Sequence, residues 1–374
     1  MSFTRCRTCL MPTTRPDTAF IDGECSACVS HRKRDQVDWS AREAELLRIL
    51  ETMPKNGSGY DCIVPSSGGK DSHWQVLKLI ELGAKPLVVT ATTCHLTDIG
   101  RKNIDNLARH ATTIEVTPRR DVRAKLNKIG LDLVGDISWP EHVSIFCTPF
   151  RIAADLGIKT IFYGENPQES YGGPIGTDEA RVMTRRWITE FGGHLGLRPA
   201  DVVGMFGITL SDMQDYLMPD EKRLQDVTAF FLGQFYPWDS HRNATVAMEH
   251  GMQCMLSYPG DWWEFENNDN AQTGLHDHLM YRKFGYGRLC AQISVDIRNG
   301  LISRDEAYAV VKERDGCFPE SFMGVWMSEI CDRIGVTRGW LMMKPFKSFT
   351  DWSLFSGVED NRPILKEFAH AEAA

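Results

Sequence analysis

A strand, a glycine pair and a helix follow one another without interruption near residue 67. The joining segment is Ser67-Gly68-Gly69-Lys70-Asp71-Ser72. It follows an apolar run, residues 60–65 (YDCIVP), which reads as a buried strand. It precedes residues 72–82, which read as a helix stopped by Gly83. Adjacent glycines let a backbone come close to an oxyanion, and successive N–H groups in such a turn form an anion-binding nest. The start of the helix adds partial positive charge. Ser67 and Ser72 offer hydroxyl donors and Lys70 a cation. The spacing therefore predicts a phosphate-binding turn, where the plain alternative is a glycine turn between strand and helix. It is not a Walker A loop, which would need glycine at Val64 and a hydroxyl at Asp71. An acidic residue beside phosphates repels them unless it acts through Mg2+.

The same alternation continues downstream. Residues 86–92 (PLVVTAT), 112–116 (TTIEV) and 159–163 (KTIFY) read as strands, and residues 99–110 and 151–156 as parts of helices. Strands alternating with helices predict an α/β fold with a doubly wound, mostly parallel sheet. Residues 35–53 form a charged, helical-looking link that leads into it. Beyond about residue 180 the pattern changes. Aromatics become dense (Trp187, Phe230, Phe231, Phe235, Tyr236, Trp238) and helical segments are expected at 305–314 and 322–334. The polar tail after Asp360 is expected to fray.

The first 35 residues differ from both regions. Cys6, Cys9, Cys25 and Cys28 give C-x2-C-x15-C-x2-C. Each pair is a knuckle that presents two thiolates to one tetrahedral Zn2+, and four thiolates close its shell. Such a zinc is structural and supplies the folding energy that so short a segment lacks. The alternative is four unrelated thiols. Three units are expected: a zinc ribbon over 1–35, an α/β domain over 36–180, and a mainly helical region over 181–374 for substrate or partner binding.

The composition narrows the function classes. The net charge is −8 in 374 residues, which does not favour a polyanionic partner. No run of 18 apolar residues occurs and the N-terminus lacks the apolar core of a secretory signal. The 11 cysteines then read as thiols or ligands, and the expected location is cytoplasmic.

The segment Ser67 to Ser72 resembles the SGGxDS signature of the PP-loop ATP pyrophosphatases, which share an adenine nucleotide alpha hydrolase-like fold. The resemblance implies ATP cleavage between the α and β phosphates. Ser67, Gly68, Gly69 and Ser72 would hold pyrophosphate, Lys70 would offset its charge, and Asp71 would position Mg2+. The wider layout resembles the N-acetyl sugar amidotransferases of bacterial surface-polysaccharide and nonulosonic acid biosynthesis. The matching pieces are the four-cysteine ribbon, the loop, Gly164-Glu165-Asn166, and a late segment from His276-Asp277-His278 through Lys283 and Arg288 to Asp296-Ile297-Arg298. The family turns a sugar acetamido group into an acetamidino group, using ATP, Mg2+ and ammonia. The amide oxygen attacks the α-phosphorus, giving an O-adenylated imidate and pyrophosphate. Ammonia then adds and AMP leaves. Ser2 follows Met1, and no cysteine lies in G-x-C-x-G, so no glutaminase is read in this chain. The resemblance implies a separate glutaminase subunit and a cyclase-like barrel subunit. A PP-loop tRNA thiolase is the alternative, and Cys147 would then carry sulfur.

Arg151, Gly164 and Asn166 are candidates for the nucleotide, and His276, His278, Lys283 and Arg288 for an anionic sugar. A polar network explains the two histidines equally well, because an i, i+2 pair does not share a helix face. Trp262 and Trp263 would stack on a sugar or a base, or fill a core.

Overall fold

The computed structural model describes residues 3–54, 56–255 and 258–369. Its centre is a parallel five-stranded sheet. The strands are β1 (Cys62–Pro65), β2 (Pro86–Ala91), β3 (Thr113–Val116), β4 (Thr160–Tyr163) and β5 (Thr228–Phe231). Their spatial order is β3-β2-β1-β4-β5, and every neighbouring pair is parallel. The chain order reverses between β1 and β4, where Ile63 lies opposite Ile161. In open parallel sheets that switch point leaves a crevice beyond the strands' carboxyl ends.

Side chains alternate along each strand, so the sheet buries both faces. Cys62 and Val64 face one core with Leu46, Trp74, Leu79 and Phe162. Ile63 faces the other with Leu87, Val89, Phe150, Ile161 and Trp187. Helix α1 (Ser26–Lys33) belongs to the ribbon. Helices α2 (Trp39–Thr52) and α3 (Lys70–Glu81) supply the first core, and α4 (Asp98–Leu107) follows β2. Helices α5 (Arg120–Leu133) and α6 (Trp139–Leu156) precede β4, and α6 covers the second face. Pro149 interrupts the hydrogen-bond ladder of α6, so the carbonyl of Ile145 has no helical donor. The Tyr163 hydroxyl donates to it at 3.3 Å.

The region beyond 180 departs from the helical expectation in two places. It supplies β5, which pairs with β4 from Thr160↔Thr228 to Tyr163↔Phe231. Residues 322–334 do not form one helix. Phe322 ends the first strand of a hairpin, and the turn at Met323 and Gly324 has φ of 53° and 79°. The helix begins only at Met327. The remainder includes α7 (Arg185–Phe191), α8 (Ser240–Glu249), α9 (Thr273–Phe284) and α10 (Arg288–Arg298). The segment after Asp360 is also more ordered than its polarity suggested. Arg362–Leu365 pairs with Phe355–Glu359, and the buried Phe368 joins the core around α10. Among the described residues no helix is long and apolar enough to cross a membrane.

The ribbon is docked on this C-terminal region. Asp22 and Gly23 take φ of 49° and 79°, the two positive values that a tight hairpin turn requires, between Phe20–Ile21 and Glu24–Cys25. Leu10, Met11 and the cysteines share one apolar cluster with Tyr281, Tyr286, Leu289 and Ile293. The Arg5 guanidinium reaches Glu367 at 2.6 Å.

Candidate functional site: a cleft at the sheet's switch point

The loop after β1 opens onto a cleft of about 400 Å³ at the carboxyl ends of β1 and β4. That volume suits a ligand of nucleotide size. Residues 66–72 form its floor. Gly68 has φ of +83°, and a Cβ there would come within 2.9 Å of the Ile104 backbone nitrogen, so only glycine fits. Gly69 caps α3, leaving the helix N-terminus facing the cleft. Ser66 Oγ accepts from the Gly68 N–H at 2.9 Å and donates to Ser72 Oγ at 2.8 Å, which fixes the turn. Phe146, Pro149, Met183, Trp187 and Phe231 form an apolar wall.

Lys70 is buried and does not reach into open solvent. Its ammonium pairs with Asp71 at 2.7 Å and Glu266 at 2.5 Å. Burial alone would lower its pKa, but the two carboxylates more than offset that and hold it above the ordinary lysine value. Burial raises Glu266, yet Lys70 and Arg288 pull it below the usual range. Among the described residues Glu165 makes no close ion pair, and Lys70 lowers it only in part. Burial and the nearby charge of Asp71 push its carboxyl up to about 7. Asn243 donates to the other oxygen of Asp71 at 2.9 Å. Asp71, Glu165 and Glu266 thus supply carboxylate oxygens to one cleft, the donor type that suits Mg2+.

Glu266 carries no sequence motif, and Glu165 reads only as the middle of Gly164-Glu165-Asn166, with no role of its own. Glu266 arrives on a loop stitched to the start of α4. Thr97 N–H donates to the Asp269 carbonyl at 3.1 Å, and Ala271 N–H to that of His95 at 3.0 Å. Gly100 makes this possible, since a Cβ there would lie 2.6 Å from Asp269 Cα.

The remaining sequence candidates divide sharply. Ser67, Gly68, Gly69, Lys70, Asp71, Ser72, Gly164 and Arg288 line the cleft. Arg288 is clamped by Asp277 at 3.1 Å. Arg151 lies outside, held by the Gln214 carbonyl and by Asp215 at 3.1 Å. Asn166 is buried as the cap of a short helix, accepting from Gln168 N–H and donating to the Thr177 carbonyl. His278 sits in the core. Its Nδ1 donates to the Gly316 carbonyl, and its Nε2 accepts from Arg282 at 2.8 Å. His276 bonds Asp136 at 2.7 Å, and Lys283 reaches the Val134 carbonyl at 3.4 Å. Both indole N–H groups of Trp262 and Trp263 donate to Asp296, at 2.6 and 3.0 Å. Cys147 is buried against the Leu217 carbonyl at 3.0 Å, and burial pushes its thiol up to about 12. That is an inert thiol rather than a nucleophile.

The four ribbon cysteines form a second, closed centre. Their sulfurs lie 3.6 to 3.7 Å apart along three edges and all within 4.8 Å. Tetrahedral zinc with bonds of about 2.3 Å requires sulfurs about 3.8 Å apart. The backbone N–H of Cys25 donates to Cys6 Sγ at 3.3 Å, and that of Met11 to Cys9 Sγ at 3.5 Å. Arg298 is buried beside Cys9, Cys25 and Cys28, where its charge offsets that of thiolates. The cluster is compatible with a zinc ribbon.

Fold and site together define an α/β protein with a ligand cleft at the switch point of a parallel sheet. Residues 255–356 match the family model described as LPS biosynthesis protein WbpG-like, C-terminal domain. The match covers Glu266, His276, His278, Lys283 and Arg288, and it supports a polysaccharide-biosynthesis family. No curated protein matches the chain.

Proposed function

We propose that this chain is an ATP-dependent, AMP- and pyrophosphate-forming amidotransferase that converts a sugar acetamido group to an acetamidino group in surface-polysaccharide biosynthesis. The observation that carries the reading is the Gly68-Gly69 turn, with its helix N-terminus, at the switch point in a cleft lined by Asp71, Glu165, Glu266 and Asp269. Residues 67–69 and 72 would cradle the β and γ phosphates. Asp71 would position Mg2+, which neutralises phosphate charge, with Glu165 and Glu266 lining the same cleft. The apolar wall around Trp187 would take the base and help keep water from the imidate. Arg288, on the stretch matched by the polysaccharide family, would face an anionic part of the sugar. The Asp277 clamp fixes its direction. Ammonia would come from a separate glutaminase, paired with a barrel-like subunit.

Pyrophosphate release with ammonium chloride and acetamido sugars, free or nucleotide-linked, tests the reading. Release that requires both sugar and ammonium supports it. Release that requires tRNA instead overturns it in favour of a thiolase, against which the buried Cys147 already weighs.

A further inference from the structure

We propose that Asp136, His142 and His276 form a second metal site, distinct from the four-cysteine cluster, for a divalent ion of the zinc class. The three side chains come from three segments: the turn after α5, the start of α6, and α9. Asp136 is only 2% exposed. Its Oδ1 lies 2.7 Å from His276 Nδ1, and its Oδ2 lies 3.5 Å from His142 Nδ1. One ligand atom from each residue falls within 4.8 Å of the others. Nitrogen and oxygen ligands about 2.1 Å from a tetrahedral ion are about 3.4 Å apart, so small side-chain shifts close the set.

A second observation points the same way. His194 is 7% exposed, and neither of its ring nitrogens has a hydrogen-bond partner among the described residues. Nδ1 of His142 has none either. The two histidines are neighbours. Gly193 packs on the His142 ring so tightly that a Cβ there would lie 2.7 Å from Nδ1, and the His142 charge acts on His194. Buried imidazole nitrogens without partners are rare in a pure proton network, and they are what a metal binds. Two imidazoles and a carboxylate suit zinc-class ions better than Mg2+. His194 neighbours His142 but lies outside the three-residue set. Lys283 and Arg288 also face the cluster and oppose a cation, but Arg288 is matched by Asp277 and Asp136 is itself anionic. The ion would tie the 136 turn, α6 and α9 together. It would thereby position Asp277, the clamp of the cleft residue Arg288.

The full chain, saturated with zinc chloride and freed of excess, is measured by elemental analysis. Two equivalents per chain are expected, falling to one in His142→Ala and in His276→Ala. His142→Gln serves as a milder variant should the alanines not fold. Cobalt substitution separates the centres, because four thiolates give intense charge-transfer bands whereas a nitrogen–oxygen site adds only weak ligand-field bands. One equivalent in folded wild-type protein overturns the proposal. So does a second equivalent that survives the substitutions, or one whose cobalt bands are of thiolate type.

Discussion

The ribbon takes its four sulfurs from two C-x2-C pairs within the first 28 residues, and each pair is shaped by its own turn. The cleft takes its charged groups from positions 70, 71, 165, 266, 269 and 288, brought together by a sheet crossover, a stitched loop and a helix start. In the ribbon one kind of ligand surrounds a single point and the shell is closed. In the cleft two carboxylates, Asp71 and Glu266, pair with one lysine, and a third, Glu165, is pushed up to about 7 by burial and by Asp71. Closed shells stabilise, whereas an incompletely neutralised set is what a ligand can complete.

Removing a ribbon sulfur should have the largest effect on stability. Cys9→Ser is expected to lose zinc and the folded N-terminus, since structural zinc contributes on the order of 10 kcal/mol. Elemental analysis and thermal melts check this, and a zinc-free protein with an unchanged Tm would break the contrast. Asp71→Asn should do the reverse. Pyrophosphate release is expected to fall by about 10²–10³-fold, the usual loss for one preorganised electrostatic contact, with a smaller loss of stability than at Glu266 because Asp71 is the more exposed of the two carboxylates on Lys70. Glu266→Gln lies between the two. It leaves the buried Lys70 with Asp71 alone, so stability should drop by about 1–3 kcal/mol in urea unfolding.

The smallest expected effect is a pH slope. Burial, aided by Arg282, depresses His278 from 6.5 to about 3. Below pH 6.5 the unfolded chain binds a proton that the folded chain refuses, so stability falls as pH drops from about 6.5 toward 3 and is unaffected by this group above that. His278→Gln should make the fall shallower by at most about 1.4 kcal/mol per pH unit. An unchanged slope would show that His278 is already accessible to protons.

What the sequence made legible follows the same division. Strands β1 to β4 were legible because apolar runs end at turn residues, and the loop because strand, glycines and helix are contiguous. Strand β5 was hidden: Thr228–Phe231 lies among aromatics that fit a helical or a strand setting equally, and only pairing with β4 decides. Residues 322–334 misled because the hydrophobic spacing continues through a turn that Met323 enters at positive φ. Glu266 was overlooked, and Glu165 stood within Gly164-Glu165-Asn166 without a role, because a carboxylate gains meaning only from its neighbours in space. Asn166 and His278 stood out by residue type, yet Asn166 spends its polar atoms on nearby backbone groups and His278 spends its own on the Gly316 carbonyl and the Arg282 guanidinium.

Helix α10 starts at Arg288 in the wall of the cleft and finishes at Arg298 against the ribbon sulfurs. Its 11 residues make a rod about 16 Å long. A jolt at one tip is carried to the other without any hinge in between, so oxidising or demetallating the far end would loosen the near one. The ribbon, for all its distance from the glycine turn, is the anchor bolt of the arm that holds the guanidinium in place.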